Sequence, residues 1–130
     1  MKINKYELDV FKKASLCRNF ELEVRNNLEN NNIKFPVYLS AGQEYISASI
    51  AVIINNLNVK PLIFAQHRCH SVYLSFGGNI VDLIDELLGK KTGCTYGMGG
   101  SASIHSLKIN MYGHDGHMGT QVPIAVGACF

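Results

Sequence analysis

Glycine is concentrated in one stretch of this chain, residues 89–123, which holds eight of the twelve glycines. Glycine at this density weakens helices and strands, so it needs a local reason. The usual reason is a close approach of the backbone to another group, often an anionic ligand. We therefore interpret the segment GMGGS, residues 97–101, as a candidate nest of backbone N–H groups for a phosphate. It matches neither of the standard glycine-rich nucleotide motifs.

Length and composition favour one folded domain. The chain has 130 residues and is 47% hydrophobic, which is enough apolar material to bury a core. The net charge of +2 comes without a basic stripe, which argues against nucleic acid as a partner. The apolar runs are too short to span a membrane, and the N-terminus has no apolar signal core. We therefore expect a cytoplasmic protein whose four cysteines are small buried residues.

The apolar spacing predicts a helix-rich chain with one short buried strand. Helices are expected over residues 4–30, 43–56 and 79–88, with a short helix at 71–76 and a last helix that Thr120 caps. Asn79 is the predicted N-cap of the third long helix, and Gly89 the residue that ends it. The strand is LIFA, residues 62–65, and the polar segment that follows it occupies a position where functional residues of α/β sheets often lie.

Two of these helices carry an expectation about burial. In the first helix one predicted apolar face follows Leu8, Phe11, Ser15, Arg18 and Leu22. Further residues widen this apolar surface, namely Tyr6, Val10, Cys17, Phe20, Val24 and Leu28. The second helix is rich in small residues that allow close approach, and we expect it to be buried on most sides.

Several polar constellations are candidates for chemistry. In HRCH, residues 67–70, Arg68 is a planar cation suited to a phosphate or carboxylate, although a surface arginine beside a core histidine is also compatible. In AGQE, Glu44 is favoured as a tether of its loop near a helix N-terminus rather than as a general base. Asp115 is either a metal ligand or a turn residue. A zinc site that uses Cys69 and the histidines stays a minor alternative, because the spacings fit no standard finger.

Four ordered segments resemble the alpha subunit of thiamine-diphosphate-dependent 2-oxo acid dehydrogenases, such as the pyruvate, acetoin and branched-chain enzymes. The segments are AGQE, HRCHS, ELLGKKTGCTYGMGGSASIH and NMYGHDGHMGTQVPIAVG, and the resemblance covers residues 38–130. It implies an α/β fold, namely the N-terminal portion of a thiamine-diphosphate-binding fold with a parallel sheet flanked by helices. Residues 1–130 are accordingly expected to form a single domain, the truncated N-terminal part of the domain that holds the cofactor's diphosphate.

The resemblance also implies roles for individual residues. Cofactor binding falls to His67 and Arg68 near the diphosphate and to Gly116 and Met118 at the aminopyrimidine. The resemblance implies a catalytic role in proton transfer for two histidines of the matched motifs, His70 and His105.

The sequence departs from the family pattern at several positions. His67 stands where the family has tyrosine, and Ser71 where it has glycine. Tyr38 stands where the family has a histidine before GQE, and His117 takes a usually apolar place. The GDG motif and later asparagine that carry Mg²⁺ in the family do not occur, so no metal ligand is assigned in this chain.

The resemblance finally implies cofactors and partners. The cofactors are thiamine diphosphate and a Mg²⁺ ion with ligands outside this sequence. The partners are a beta-type subunit that supplies the pyrimidine-activating glutamate, further copies in a hetero- or homo-oligomer, and a lipoyl acyltransferase. The predicted function is an alpha-type subunit, as a fragment or split subunit, in oxidative decarboxylation of a 2-oxo acid, inactive alone. The alternatives are a non-catalytic assembly module and a small metal-binding domain.

Overall fold

A computed structural model describes residues 3–113 and 116–130, so Asp115 lies outside the described residues. The described part is rich in helix and contains a small sheet, which confirms the α/β class expected for an incomplete thiamine-diphosphate-binding fold. No helix of the described part is long and apolar enough to cross a membrane. The elements are α1 (Lys5–Glu29), α2 (Glu44–Asn56), β1 (Ile63–Phe64), α3 (His70–Ser75), α4 (Ile80–Leu87), a 3-10 helix (Leu107–Ile109), β2 (Met111–Tyr112) and α5 (Gln121–Ala128).

The two strands form a parallel pair. Ile63 lies opposite Met111 and Phe64 opposite Tyr112, and the two aromatic rings stack with centroids 5.5 Å apart. Sequence analysis predicted β1 but not β2, because two residues inside a glycine-rich stretch give no alternating pattern. Parallel strands end at the same edge of a sheet, so the segments after β1 and after β2 leave this sheet on the same side.

Helix α1 begins at a capping box and buries only part of the predicted apolar surface. Asn4 Oδ1 accepts from the backbone N–H of Glu7 at 2.8 Å, and the Glu7 carboxylate accepts from the N–H of Asn4 at 3.0 Å. The face through Leu8, Phe11 and Leu22 was wrong, since these residues are about half exposed. The helix packs instead through the residues predicted to widen that surface, of which Val10, Cys17, Phe20 and Val24 are buried. The buried residues are Val10, Ala14, Cys17, Phe20, Glu21 and Val24.

Helix α2 is buried on one side only, so the expectation that it would be buried on most sides was wrong. Small residues such as Ala48 and Ala51 face α1 and α3 and are fully buried. On the opposite side Ile46, Ile50 and Ile53 remain 46–65% exposed. The small residues therefore mark one closely packed face of α2, and the rest of the helix is not enclosed.

Helix α4 follows the predicted boundaries. Asn79 Oδ1 accepts from the N–H groups of Val81 and Asp82 at 2.7 and 3.2 Å, and Gly89 ends the helix with φ of +69°. Its inner face joins the main core beneath α1 and α3. That core includes Phe20, Val24, Tyr73, Leu74, Leu83, Leu87, Ile104 and Met111.

Helix α5 starts after Thr120, as predicted, but none of its residues is buried. The predicted side-chain cap was wrong, because the Thr120 hydroxyl donates to the carbonyl of His117 at 2.9 Å. Its apolar residues Val122, Ile124 and Val126 are more than half exposed. In the described part of the chain this helix lies beside β1 but buries none of its own residues.

Candidate functional site

The glycine-rich loop wraps around the carboxylate of Glu86. Oε2 of this side chain accepts from the N–H groups of Thr95 and Gly97 at 2.7 and 2.9 Å, and Oε1 accepts from those of Gly99 and Gly100 at 2.9 Å each. Glu86 is 0% exposed. The predicted close approach of backbone to an anion is thus present, but the anion is part of the chain. The interpretation of GMGGS as a phosphate nest was wrong, because the N–H groups of its three glycines already donate to Glu86.

Side chains are excluded at three glycines of this loop. A Cβ at Gly93 would overlap the carboxylate and the backbone of Glu86, and one at Gly97 would come within 2.5 Å of the backbone of Gly89. Gly97 also has φ of +74°, a region that disfavours other residues. At Gly99 a Cβ would overlap the carbonyl oxygen of Ser103. Close packing against Glu86, Gly89 and Ser103 therefore explains why these three positions are glycine.

Hydrogen bonds keep Glu86 ionised in spite of its burial. Burial is the largest single influence and raises the pKa of Glu86. The hydrogen bonds from the side chain and N–H of Thr95 and from the N–H groups of Gly97 and Gly100 act together in the other direction, and the pKa of Glu86 lies below its usual range. The loop therefore closes around a negative charge at neutral pH.

A second buried polar cluster contains Glu21, Ser40, His70 and Ser101. His70 Nδ1 lies 3.1 Å from Glu21 Oε1, and His70 Nε2 lies 2.8 Å from Ser101 Oγ. Glu21 Oε1 also accepts from the N–H and hydroxyl of Ser40, at 3.2 and 2.6 Å. Among the described residues Glu21 Oε2 has no hydrogen-bond partner. All four side chains are at most 1% exposed.

The order hydroxyl, imidazole, carboxylate in this cluster matches that of a hydrolytic triad. Ser101 Oγ also accepts from the N–H of Tyr38 at 2.8 Å, so this hydroxyl links His70 Nε2 to the backbone of another segment. Complete burial prevents a substrate from reaching Ser101. The arrangement consequently links parts of the chain and does not form an open nucleophilic site.

The two histidines with predicted catalytic roles occupy different environments. His70 is 0% exposed and uses both ring nitrogens in the buried cluster. His105 is exposed, and a Cβ at Gly113 would lie 3.7 Å from its Nδ1. Of the two, only His105 faces solvent, and a role in proton transfer stays a prediction for both.

Arg68 and His67 lie just beyond the end of β1, as predicted. Arg68 is exposed, and its Nη1 donates to the carbonyl of Leu39 at 3.1 Å. It borders a cavity of about 360 Å³ whose wall includes Phe64 and Ser71. A guanidinium with most of its N–H donors unused by that bond is able to take a planar anion.

The two substituted aromatic positions of the resemblance contact each other. The rings of Tyr38 and His67 meet edge to face, with centroids 5.1 Å apart and planes at 74°. The family pattern has histidine at the first position and tyrosine at the second, so the two ring types are exchanged within one contact. The pair lies directly beside the Arg68 segment.

Gly116 and Met118 belong to the segment that follows β2. Both are exposed, Met118 to 80%, and a Cβ at Gly116 would meet nothing within 4 Å. Since β1 and β2 are parallel, this segment leaves the sheet at the same edge as Arg68. The two groups of predicted cofactor-binding residues thus follow neighbouring strand ends, and their binding roles stay predictions.

Glu44 tethers its loop, as predicted. Its carboxylate accepts from Arg18 Nε and Nη2 at 2.6 and 3.1 Å and from the N–H of Gly42 at 2.9 Å. The hydrogen bond from Arg18 is the largest influence on this group and, together with the backbone bonds, lowers the pKa of Glu44 to about 2. Glu44 is therefore a fixed anion rather than a general base.

Sequence reasoning missed the roles of Glu21 and Glu86. Each carboxylate occurs at helical spacing among core residues, Glu21 beside Phe20 and Val24 and Glu86 beside Leu83 and Leu87. A carboxylate on a buried face must be paired or hydrogen-bonded. This pattern was the available signal for both clusters.

The structure gives little support to a metal site. No group of three or more His, Cys, Asp or Glu residues in the described ranges could hold an ion. Burial, the largest influence in each case, raises the pKa of the Cys69 and Cys94 thiols to about 12, which disfavours the thiolate that binds metals. Cys17 and Cys69 are buried as predicted, whereas Cys129 is exposed and the prediction was wrong there.

The helices and the parallel strand pair place the chain in the α/β class, consistent with a fold of the thiamine-diphosphate-binding type. A family model described as the dehydrogenase E1 component matches residues 12–130. The chain belongs to this family, and its relatives are of the alpha type.

Curated relatives from plants and fungi support the alpha-type assignment. Pyruvate dehydrogenase E1 component subunit alpha-2, mitochondrial, of Arabidopsis thaliana is 30% identical over 123 residues, covering 95% of this chain and 30% of the relative. The alpha subunits of Saccharomyces cerevisiae and Schizosaccharomyces pombe are 31% and 32% identical, again over 95% of this chain and over 28% and 29% of theirs. The chain thus spans about 30% of the length of these relatives.

Proposed function

We propose that this chain contributes the diphosphate side of a thiamine-diphosphate site in a 2-oxo acid dehydrogenase that also contains a beta-type subunit. The observation that carries the proposal is the shared sheet edge, where the exposed Arg68 follows β1 and the exposed Gly116 and Met118 follow the parallel β2. Ligands of α/β sheets bind at this edge. The family and its pyruvate dehydrogenase alpha relatives support the choice of ligand.

The described residues fit the organic cofactor in part. Arg68 offers a bidentate donor to a diphosphate or to the carboxylate of a substrate. The backbone around Gly116 is open and can approach a flat ring closely. When bound, the cofactor supplies the electron sink for decarboxylation. In this proposal proton transfer is assigned to His105, which is exposed to solvent.

The described residues do not fit Mg²⁺. A hard cation takes several oxygen ligands, and no cluster of three acidic, histidine or cysteine side chains lies within the described ranges. We propose that the ligands of the ion are supplied from outside these residues. The proposed partners are a beta-type subunit, which supplies the activating glutamate, and a lipoyl acyltransferase as acyl acceptor.

Calorimetry with thiamine diphosphate, with and without Mg²⁺, tests this proposal. The chain is expected to bind the cofactor, and Arg68→Gln is expected to weaken binding about tenfold through the loss of a charge-assisted contact. Arg25→Gln is the matched control, because Arg25 is an exposed arginine on α1 that forms an ion pair with the exposed Glu29. Absence of heat at millimolar cofactor contradicts the proposal and favours a non-catalytic assembly module.

A further inference from the structure

The carbonyl that holds Arg68 lies between two tethered residues. Arg68 Nη1 donates to Leu39 O at 3.1 Å. On one side of Leu39 the N–H of Tyr38 donates to Ser101 Oγ at 2.8 Å. On the other side Ser40 donates from its N–H and hydroxyl to Glu21 Oε1, at 3.2 and 2.6 Å. The direction of the Leu39 carbonyl is therefore fixed from both sides.

His70 joins the two tethers into a closed ring of contacts. Its Nε2 lies 2.8 Å from Ser101 Oγ and its Nδ1 lies 3.1 Å from Glu21 Oε1. The ring is sealed from water, with all three of these side chains at most 1% exposed, and hydrogen bonds are strengthened in such a low-dielectric environment. His70 is also two residues from Arg68, so the arginine is restrained through its own backbone as well as through Leu39.

We propose that Glu21, His70 and Ser101 are positioning residues that hold the exposed Arg68 guanidinium in an orientation suited to binding an anion. The ring keeps the Leu39 carbonyl in place, and this carbonyl restrains a long side chain that would otherwise sample many rotamers in solvent. An arginine that is already oriented loses less conformational entropy when an anion binds. The identity of the anion rests on the proposed function, whereas the orientation of Arg68 does not.

Two serine variants test the ring with little change in side-chain volume. Ser101→Ala removes the contact to Tyr38 and His70, and Ser40→Ala removes the hydroxyl contact to Glu21 and the acceptor for the N–H of Ser71. Ser75→Ala is the matched control, because Ser75 is a buried serine whose hydroxyl contacts Cys17 and Ser47 instead. The first readout is the ¹⁵N relaxation of the Arg68 Nε–H group in the ligand-free chain.

Both ring variants are expected to increase the motion of the Arg68 side chain and to shift the Leu39 amide signal, while Ser75→Ala leaves both unchanged. Thiamine diphosphate affinity is expected to fall about three- to tenfold in the ring variants, the effect of one hydrogen bond. An Arg68 signal equal to wild type in either ring variant overturns the proposal. If the wild-type chain does not bind the cofactor, the proposed function fails, and the Arg68 relaxation alone still decides the positioning role.

Discussion

Four backbone N–H groups of the glycine-rich loop end on the carboxylate of Glu86, so one side chain determines how this loop closes. Glycine density predicted the close approach to an anion, because the steric requirement is visible in the sequence. The source of the anion was not predictable from the loop, since Glu86 precedes it on a helix and meets it only through folding. The position of Arg68, by contrast, was predictable, because the apolar strand that precedes it is evident from the local sequence.

Glu86→Gln is expected to destabilise the fold by about 3 kcal/mol, because a neutral amide cannot accept from all four N–H groups and its NH₂ would face donors. Urea unfolding at pH 7 measures the change. Glu29→Gln is the control: it breaks an exposed pair with Arg25 and is expected to cost at most about 0.5 kcal/mol. If Glu86→Gln lowers the free energy of unfolding no more than the control does, the carboxylate does not hold the loop.

Arg18→Gln is expected to remove a pH-dependent stabilisation of about 1–2 kcal/mol, a value reduced because half of the Arg18 side chain is in solvent. The pKa of Glu44 is about 2 in the folded chain and 4.5 ordinarily, so the stabilisation is complete above about pH 4.5 and is lost as pH falls toward 2. Urea midpoints of the variant and wild type should therefore differ at pH 7 and converge in acid. A difference between the two urea midpoints that grows as the pH falls would contradict this prediction. Arg25→Gln should show little difference at either pH.

At the scale of elements, helix existence was predictable and helix orientation was not. Caps and spacing are local, so Asn79 and Gly89 bounded α4 correctly. Which face of α1 is buried depends on its neighbours: α2 and α3 pack against the side that carries Ala14 and Glu21, while Phe11 stays exposed. The parallel partner β2 was missed because a two-residue strand is defined by its pairing and not by its own sequence.

Hydrogen exchange should distinguish α5 from α4, two helices of eight residues each. Helix α4 buries Leu83 and Leu87, whereas α5 buries none of its residues, so its opening exposes little apolar surface and costs little free energy. In the ligand-free chain the α5 amides are expected to exchange at least about 100-fold faster than the interior amides of α4. Equal protection of the two helices would contradict this expectation, because it would require α5 to bury apolar side chains.

At the scale of the whole molecule, a small parallel sheet connects two polar segments that are far apart in sequence. Its register places the ends of β1 and β2 side by side, and the buried Glu21–His70–Ser101 ring fixes the chain next to that edge. The ordered motifs indicated that these segments belong to one site. Their spatial relation required the strand pairing, which no single motif encodes.

The most direct test is a ¹H–¹⁵N NMR titration of the chain with thiamine diphosphate and Mg²⁺, which locates the ligand as well as detecting it. We predict shifts at the Arg68 Nε–H group and at the amides of Gly116 and Met118. Small changes are expected at Gly97, Gly99 and Gly100, whose N–H groups donate to Glu86. Shifts centred on residues 97–100, with the Arg68 and Gly116 signals unchanged, would contradict the assignment of the site to the sheet edge.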